Sequence, residues 1–182
     1  MKELSLHILD IVQNSLSAKA SQIEIIICED TEKNFFSIQI IDNGVGMDRE
    51  KLQKVTDPFW TSRTTRKVGL GIPLLKVAAE RCNGRFAIDS EKGKGTEILA
   101  EFERNHIDRA PLGDIAETIS LLIMTNEDVD FLYTHRFNGK AYELNTKEIK
   151  QVLGDLPISN LEIVDWIKNN IKEGLEEITD EV

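Results

Sequence analysis

The chain has 182 residues, enough for a sizeable hydrophobic core, and only two cysteines, so no disulfide framework holds it together. Its formal charge of -10 is concentrated in the second half: residues 1–104 carry 15 basic and 16 acidic side chains, residues 105–182 carry 7 and 16. This balance argues against nucleic acid as a partner, and no run approaches the roughly 20 apolar residues that span a bilayer, which points to a soluble, cytoplasmic, reduced protein with no membrane contact.

Residues 3–18 show helical spacing, with Leu4, Ile8, Leu9, Ile11, Val12 and Leu16 on one broad side. His7, Asp10, Asn14 and Ser17 share the remaining stripe, within an arc of roughly 80°. His7 reads as a surface or packing residue, because no zinc-spaced partner accompanies it. Residues 23–28 and 35–41 follow as strands rich in β-branched and aromatic side chains, with Cys28 expected to be buried. The second strand runs into "DNGVGMD", where Asn43-Gly44 is by itself a hairpin signal. Two features oppose a hairpin: the residues beyond Gly46 turn helical behind a candidate N-cap, Asp48, and Asp42 stands at a strand end. A carboxylate there can accept from an exocyclic amino group, while Gly44 and Gly46 remove Cβ atoms that would bar a flat ring.

The stretch "DPFWTSRTTRKVGLG" is a long irregular connection, of a kind that more often carries function than not. It leads into a helix from about residue 70, with Pro73 in the first turn and Asn83-Gly84 as its stop. Gly69 and Gly71 ahead of that helix make a ready anion site, through free N–H groups and the positive end of the helix dipole. The pattern has neither the Lys-Ser/Thr ending of a P-loop nor the preceding strand of a Rossmann site. Strands at 85–90 and 96–103 enclose the turn "EKGKG" and complete a mixed two-layer domain. Beyond it come a helix at 111–124, a hairpin across Asn138-Gly139, a short helix after Asn145, and a last helix opened by "SNLE", which has the form of a capping box on Ser159.

Taken in order, these pieces are a helix bearing acid and amide, Asp-x-Gly-x-Gly at a strand end, a Phe and Thr/Ser loop, Gly-x-Gly into a helix, and Gly-x-Gly-Thr before a strand. That order resembles the Bergerat-fold ATP-binding domain of the GHKL superfamily, which includes the gyrase B subunit, MutL, chaperones of the same fold, sensor histidine kinases and anti-sigma serine kinases. The resemblance covers residues 1–104. It implies an α+β, two-layer sandwich with a mixed, mainly antiparallel sheet and helices on one face, followed by an acidic α/β extension over 105–182, for which packing on the first domain is one arrangement the pattern allows.

By position, the resemblance implies that Asn14 holds Mg2+ and Asp42 receives the adenine amino group. Ala18, Gly44, Gly46 and Met47 would wall the adenine pocket, and Thr96 would assist Asp42. Leu70, Gly71 and Ile72 would present N–H groups to phosphate behind Gly69. Phe59, Thr61, Ser62 and Arg63 fall in the equivalent of the kinase phenylalanine box and ATP lid, where Arg63, Arg66 and Lys67 would meet phosphate oxygens. Two departures stand out. Asp10 occupies the place of the family's catalytic Glu and is one methylene shorter, an offset of about 1 Å that can cost roughly a hundredfold in rate; binding is therefore expected more firmly than hydrolysis. Lys67 replaces the leading glycine of the second glycine box. The implied function is a Mg-ATP-binding regulator that couples nucleotide state to a protein partner through the lid. The alternatives are an anti-sigma-type serine kinase acting on a separate protein and an ATP sensor without turnover. A homodimer through the first helix or the extension is compatible with the pattern.

Overall fold

The computed structural model of the protein describes residues 2–57 and 70–180. Helix α1 (Leu4–Ser17) leads into the antiparallel pair β1 (Gln22–Asp30) and β2 (Phe35–Asp42), then the short α2 (Arg49–Lys54) and α3 (Gly71–Arg81). After β3 (Phe86–Glu91) and β4 (Gly95–Glu103) come α4 (Ile115–Thr125), β5 (Asp130–Phe137), β6 (Lys140–Asn145), α5 (Thr146–Leu153) and α6 (Leu161–Thr179). The strands form one six-stranded sheet in the order β3-β4-β2-β1-β5-β6, antiparallel except where β5 lies parallel to β1. It is the expected mixed, mainly antiparallel α+β sheet, and the strands of residues 105–180 extend it beyond the N-terminal four.

Strand alternation builds the core. Ile88, Ile98, Ile40, Ile25, Tyr133 and Leu144 stand in register across all six strands, and five of the six are at most 4% exposed. The helices cover this face: α1 packs on β2, α3 on β3 and β4, α6 on β5 and β6, and α4 fits against α1 and α6. Each buried Ile contributes about 1.5–3 kcal/mol through loss of apolar surface to water. The same period of two sends Cys28 to the opposite side from Ile23, Ile25 and Ile27, so it is half-buried rather than buried as expected; both cysteines are free thiols.

The Asn138-Gly139 hairpin forms as read, with φ of 47° and 85°, the left-handed pair that a two-residue turn demands. Helix α6 is capped by Asn160, whose Oδ1 accepts from Glu162 N at 3.0 Å. The expected cap, Ser159, instead donates to Glu127 at 2.6 Å and ties the α5–α6 connection to the end of α4. A buried polar chain, which sequence reading missed, crosses from the N-terminal strands to β5. Tyr133 Oη meets His135 Nδ1 at 2.9 Å, His135 Nε2 meets Glu29 at 3.1 Å, and Arg104 Nε donates to the other Glu29 oxygen at 3.1 Å. Burial raises the Glu29 carboxyl, but the hydrogen bonds and charges of His135 and Arg104 outweigh it and hold the pKa below the ordinary value.

His7, on the stripe read as polar, is only 4% exposed, because α3 and the segment before α4 close over it. Burial lowers its pKa from 6.5 to about 4. The unfolded chain takes up this proton near pH 6.5 and the folded chain only near 4, so folding stability falls as pH drops through that window, by about 3 kcal/mol at its lower end. The melting temperature of the wild type, measured against His7→Leu, should decline steadily from pH 6.5 to 4. A difference that stays constant over that range would show that His7 does not titrate this way.

Candidate nucleotide site

The site is the polar continuation of the core face. Two residues beyond the Ile88, Ile98, Ile40 row, on the same side of the sheet, stand Ser90, Thr96 and Asp42. Asp42 Oδ2 accepts from Ser15 Oγ of α1 at 2.6 Å, and Oδ1 accepts from Gly44 N at 2.9 Å. Two donors fix the plane of the carboxylate, and each oxygen keeps lone-pair capacity for a further donor. Ser90 Oγ accepts from Met47 N at 2.9 Å, donates to the Gly95 carbonyl at 2.9 Å and meets Thr96 Oγ1 at 2.8 Å. With the Ser90 proton committed to Gly95, Thr96 donates to Ser90 and its own oxygen remains an acceptor.

The two glycines allow the loop to approach neighbouring backbone closely. A Cβ on Gly44 would lie 2.8 Å from the Ala18 carbonyl and 3.0 Å from Asp42 Oδ1. One on Gly46, whose φ is +66°, would lie 2.0 Å from the Glu91 carbonyl. The Asn43-Gly44 hairpin signal is not realised. Asn43 Oδ1 accepts from Ser21 N and Gln22 N, each at 2.9 Å, and Val45 N donates to the Ala18 carbonyl at 2.8 Å, so the loop is bound to the end of α1. Asp48 caps α2 as expected, accepting from Lys51 N at 2.8 Å.

A second cluster lies where α3 meets α1. A Cβ on Gly71 would come within 3.1 Å of Asp10 Cβ and 3.9 Å of Asn14 Nδ2, so the start of α3 sits directly against the acid and the amide. The N-terminus of α1 is satisfied by tertiary contacts, Leu4 N to the Pro111 carbonyl and Ser5 N to the Leu112 carbonyl, both at 2.9 Å. Helices α2, α4, α5 and α6 have side-chain caps. Helix α3 has neither among the described residues: Leu70 offers no capping side chain, Pro73 has no N–H, and the first helical bond is Leu74 N to the Leu70 carbonyl. The Gly71 and Ile72 N–H groups have no partner among the described residues. Asp10 is exposed as a whole, but desolvation on the side of its carboxyl facing α3 raises the pKa. Asn14 is half-buried.

The structure thus gathers Ala18, Asp42, Gly44, Gly46, Met47 and Thr96 at one end of the sheet, and Asp10, Asn14, Leu70, Gly71 and Ile72 at the adjoining junction of α1 and α3. Phe59, Thr61, Ser62, Arg63, Arg66, Lys67 and Gly69 lie outside the described residues. Ser15 and Ser90 were missed. Their signal was a small polar residue on the apolar face of its element, Ser15 three and four positions after Val12 and Ile11, and Ser90 two after Ile88. No group of three or more His, Cys, Asp or Glu among the described residues could hold a metal ion, and no helix among them is long and apolar enough to cross a membrane.

A mixed sheet with helices on one face and a polar floor at one end of that face is the Bergerat architecture. It matches the crystal structure of the N-terminal domain of a DNA repair protein with a TM-score of 0.54, at 18% identity, over 85% of this chain and 58% of that one. The family model described as histidine kinase-, DNA gyrase B- and HSP90-like ATPase matches residues 2–106. The chain belongs to that family. Curated relatives include a sensor protein of Shewanella frigidimarina, 34% identical over 52% of this chain, and sporulation kinase E of Bacillus subtilis, 37% identical over 32% of it. Sensor protein kinase WalK of Staphylococcus haemolyticus is 31% identical over 50% of the chain. The matched segments make up 15%, 8% and 16% of these relatives' lengths, so the chain spans only a small part of each.

Proposed function

We propose that the protein is a Mg-ATP-binding regulatory module that passes its nucleotide state to a protein partner. The observation that carries the reading is the Asp42 carboxylate, held by Ser15 Oγ and Gly44 N at the polar end of the core face with acceptor capacity to spare. In this reading Asp42 receives the adenine amino group, Thr96 supports it, and Gly44 and Gly46 let the loop pack onto Ala18 and Glu91 beside the ring. The Gly71 and Ile72 N–H groups receive phosphate oxygens. Asn14, beside Gly71, would hold Mg2+ through its side-chain oxygen, and the ion would neutralise phosphate charge there. Asp10 adjoins the same junction, and its raised pKa makes it a stronger base for an attacking water. The phenylalanine-box and lid roles of Phe59 to Lys67 rest on the sequence alone.

Calorimetry with Mg2+ and a non-hydrolysable ATP analogue should give a saturable heat, and its absence would overturn the reading. γ-Labelled ATP, incubated with and without cell lysate, then separates the forms of the regulator. Free phosphate from the purified protein marks an ATPase, label on a second protein marks a kinase of the anti-sigma type, and neither marks a sensor.

A further inference from the structure

A cavity of about 430 Å3 opens between α1, α3 and the segment that precedes α4, away from the residues of the nucleotide site. Leu4, Leu74, Val77 and Phe102 supply apolar wall, and His7, Arg81, Asp108 and the Cys82 thiol supply the polar side chains on it. The volume falls within the range of small-molecule sites, which pair apolar walls with a few placed polar groups.

The polar groups are unspent. His7 Nδ1 is buried and has no hydrogen-bond partner among the described residues. Desolvation keeps the imidazole neutral, so one ring nitrogen carries a hydrogen, and with the buried Nδ1 unpaired that donor is assigned to Nε2. Arg81 and Asp108 both line the cavity, yet they form no ion pair with each other, and neither side chain has another partner among the described residues. A cation and an anion that border one apolar cavity without closing on each other are the complement of a zwitterion.

We propose that this cavity binds a small α-amino acid with an apolar side chain. Its carboxylate meets the Arg81 guanidinium and the His7 Nε2–H, its ammonium meets Asp108, and its side chain lies against Leu74, Val77 and Phe102. The site stands on the two helices that carry the nucleotide-site groups, His7 one turn before Asp10 on α1 and Leu74 one turn after Leu70 on α3.

The test is titration of the full chain with L-leucine and L-phenylalanine, followed by backbone amide NMR. At least one should produce saturable shifts centred on Leu74, Val77, Ala78 and Ala110. Arg81→Gln and Asp108→Asn, both exposed positions whose variants should keep the wild-type dispersion of amide signals, should each weaken that binding at least tenfold. Leucinamide, which lacks the carboxylate, and 4-methylpentanoate, which lacks the ammonium, should bind at least tenfold more weakly than leucine. Absence of saturable shifts with either amino acid overturns the proposal. So does equal binding of leucinamide or 4-methylpentanoate, or unchanged affinity in either folded variant.

Discussion

Asp42→Asn should weaken Mg-ATP binding by about 1–3 kcal/mol, a factor of roughly 5 to 150, while leaving the fold intact. The substitution preserves the shape of the side chain but replaces one acceptor oxygen with an NH2 group. That group must face either the Gly44 N–H, the Ser15 hydroxyl or the adenine amino group. Ser15 can reverse its own hydroxyl to accommodate a donor, as the Gly44 N–H cannot, so the loss falls mainly on the base. Ser15→Ala removes one of the two donors that fix the carboxylate and should cost less, about 1 kcal/mol. Calorimetry on both variants checks the order. An Asp42→Asn protein with wild-type affinity would remove Asp42 from adenine recognition.

Gly46→Ala should destabilise the fold by about 3 kcal/mol. A left-handed backbone costs a side-chain-bearing residue roughly 1–2 kcal/mol. The added Cβ would also meet the Glu91 carbonyl at 2.0 Å, which is backbone and gives way only if the β3–β4 turn shifts, a strain of about 1–3 kcal/mol by analogy with overpacking. That turn also positions Ser90, Gly95 and Thr96, so nucleotide affinity should fall together with the denaturation midpoint in urea. A variant as stable as the wild type would mean that the β3–β4 turn is far softer than its hydrogen bonds suggest.

Much of this arrangement was readable from residue order. Ile38, Ile40 and Asp42 share one face by strand period, so the acid at the end of an apolar alternation had to emerge where the core face runs out. Two of the three Asn-Gly pairs, those read as hairpin signals, show the limit of local signals. At Asn138-Gly139 nothing competes with the turn, and both residues take positive φ. At Asn43-Gly44 the Asn side chain instead takes the Ser21 and Gln22 amides, and the bare glycine packs on Ala18, partners separated from the loop by more than 20 residues. The cap of α6 slipped from Ser159 to Asn160 for the same kind of reason, a tertiary bond to Glu127. Ser15 and Ser90 carried a local signal, as polar residues on apolar faces, but their partners, like those in the Tyr133, His135, Glu29, Arg104 chain, are set only by tertiary packing. Asp10, Asn14 and Gly71 of the candidate site stand out individually in the sequence, but their mutual approach depends on the packing of α3 on α1.

The parallel pairing of β5 with β1 also sets a timetable. Ile23 meets Asp42 within one short antiparallel excursion, whereas Gln22 meets Asp130 only across a separation of 108 residues. Long-range parallel pairing is slow, because loop closure must be completed before the contacts form. During synthesis, at about 5–20 residues per second, the nucleotide-site half therefore emerges seconds before its central strand gains a second neighbour. Over that interval the Ile-rich β1 is a sheet edge with a row of unpaired amides and carbonyls, the kind of surface on which other chains stack. The late hairpin β5-β6 turns that strand from an edge into an interior position, so the second half of the molecule serves the nascent first half as its own protection against aggregation.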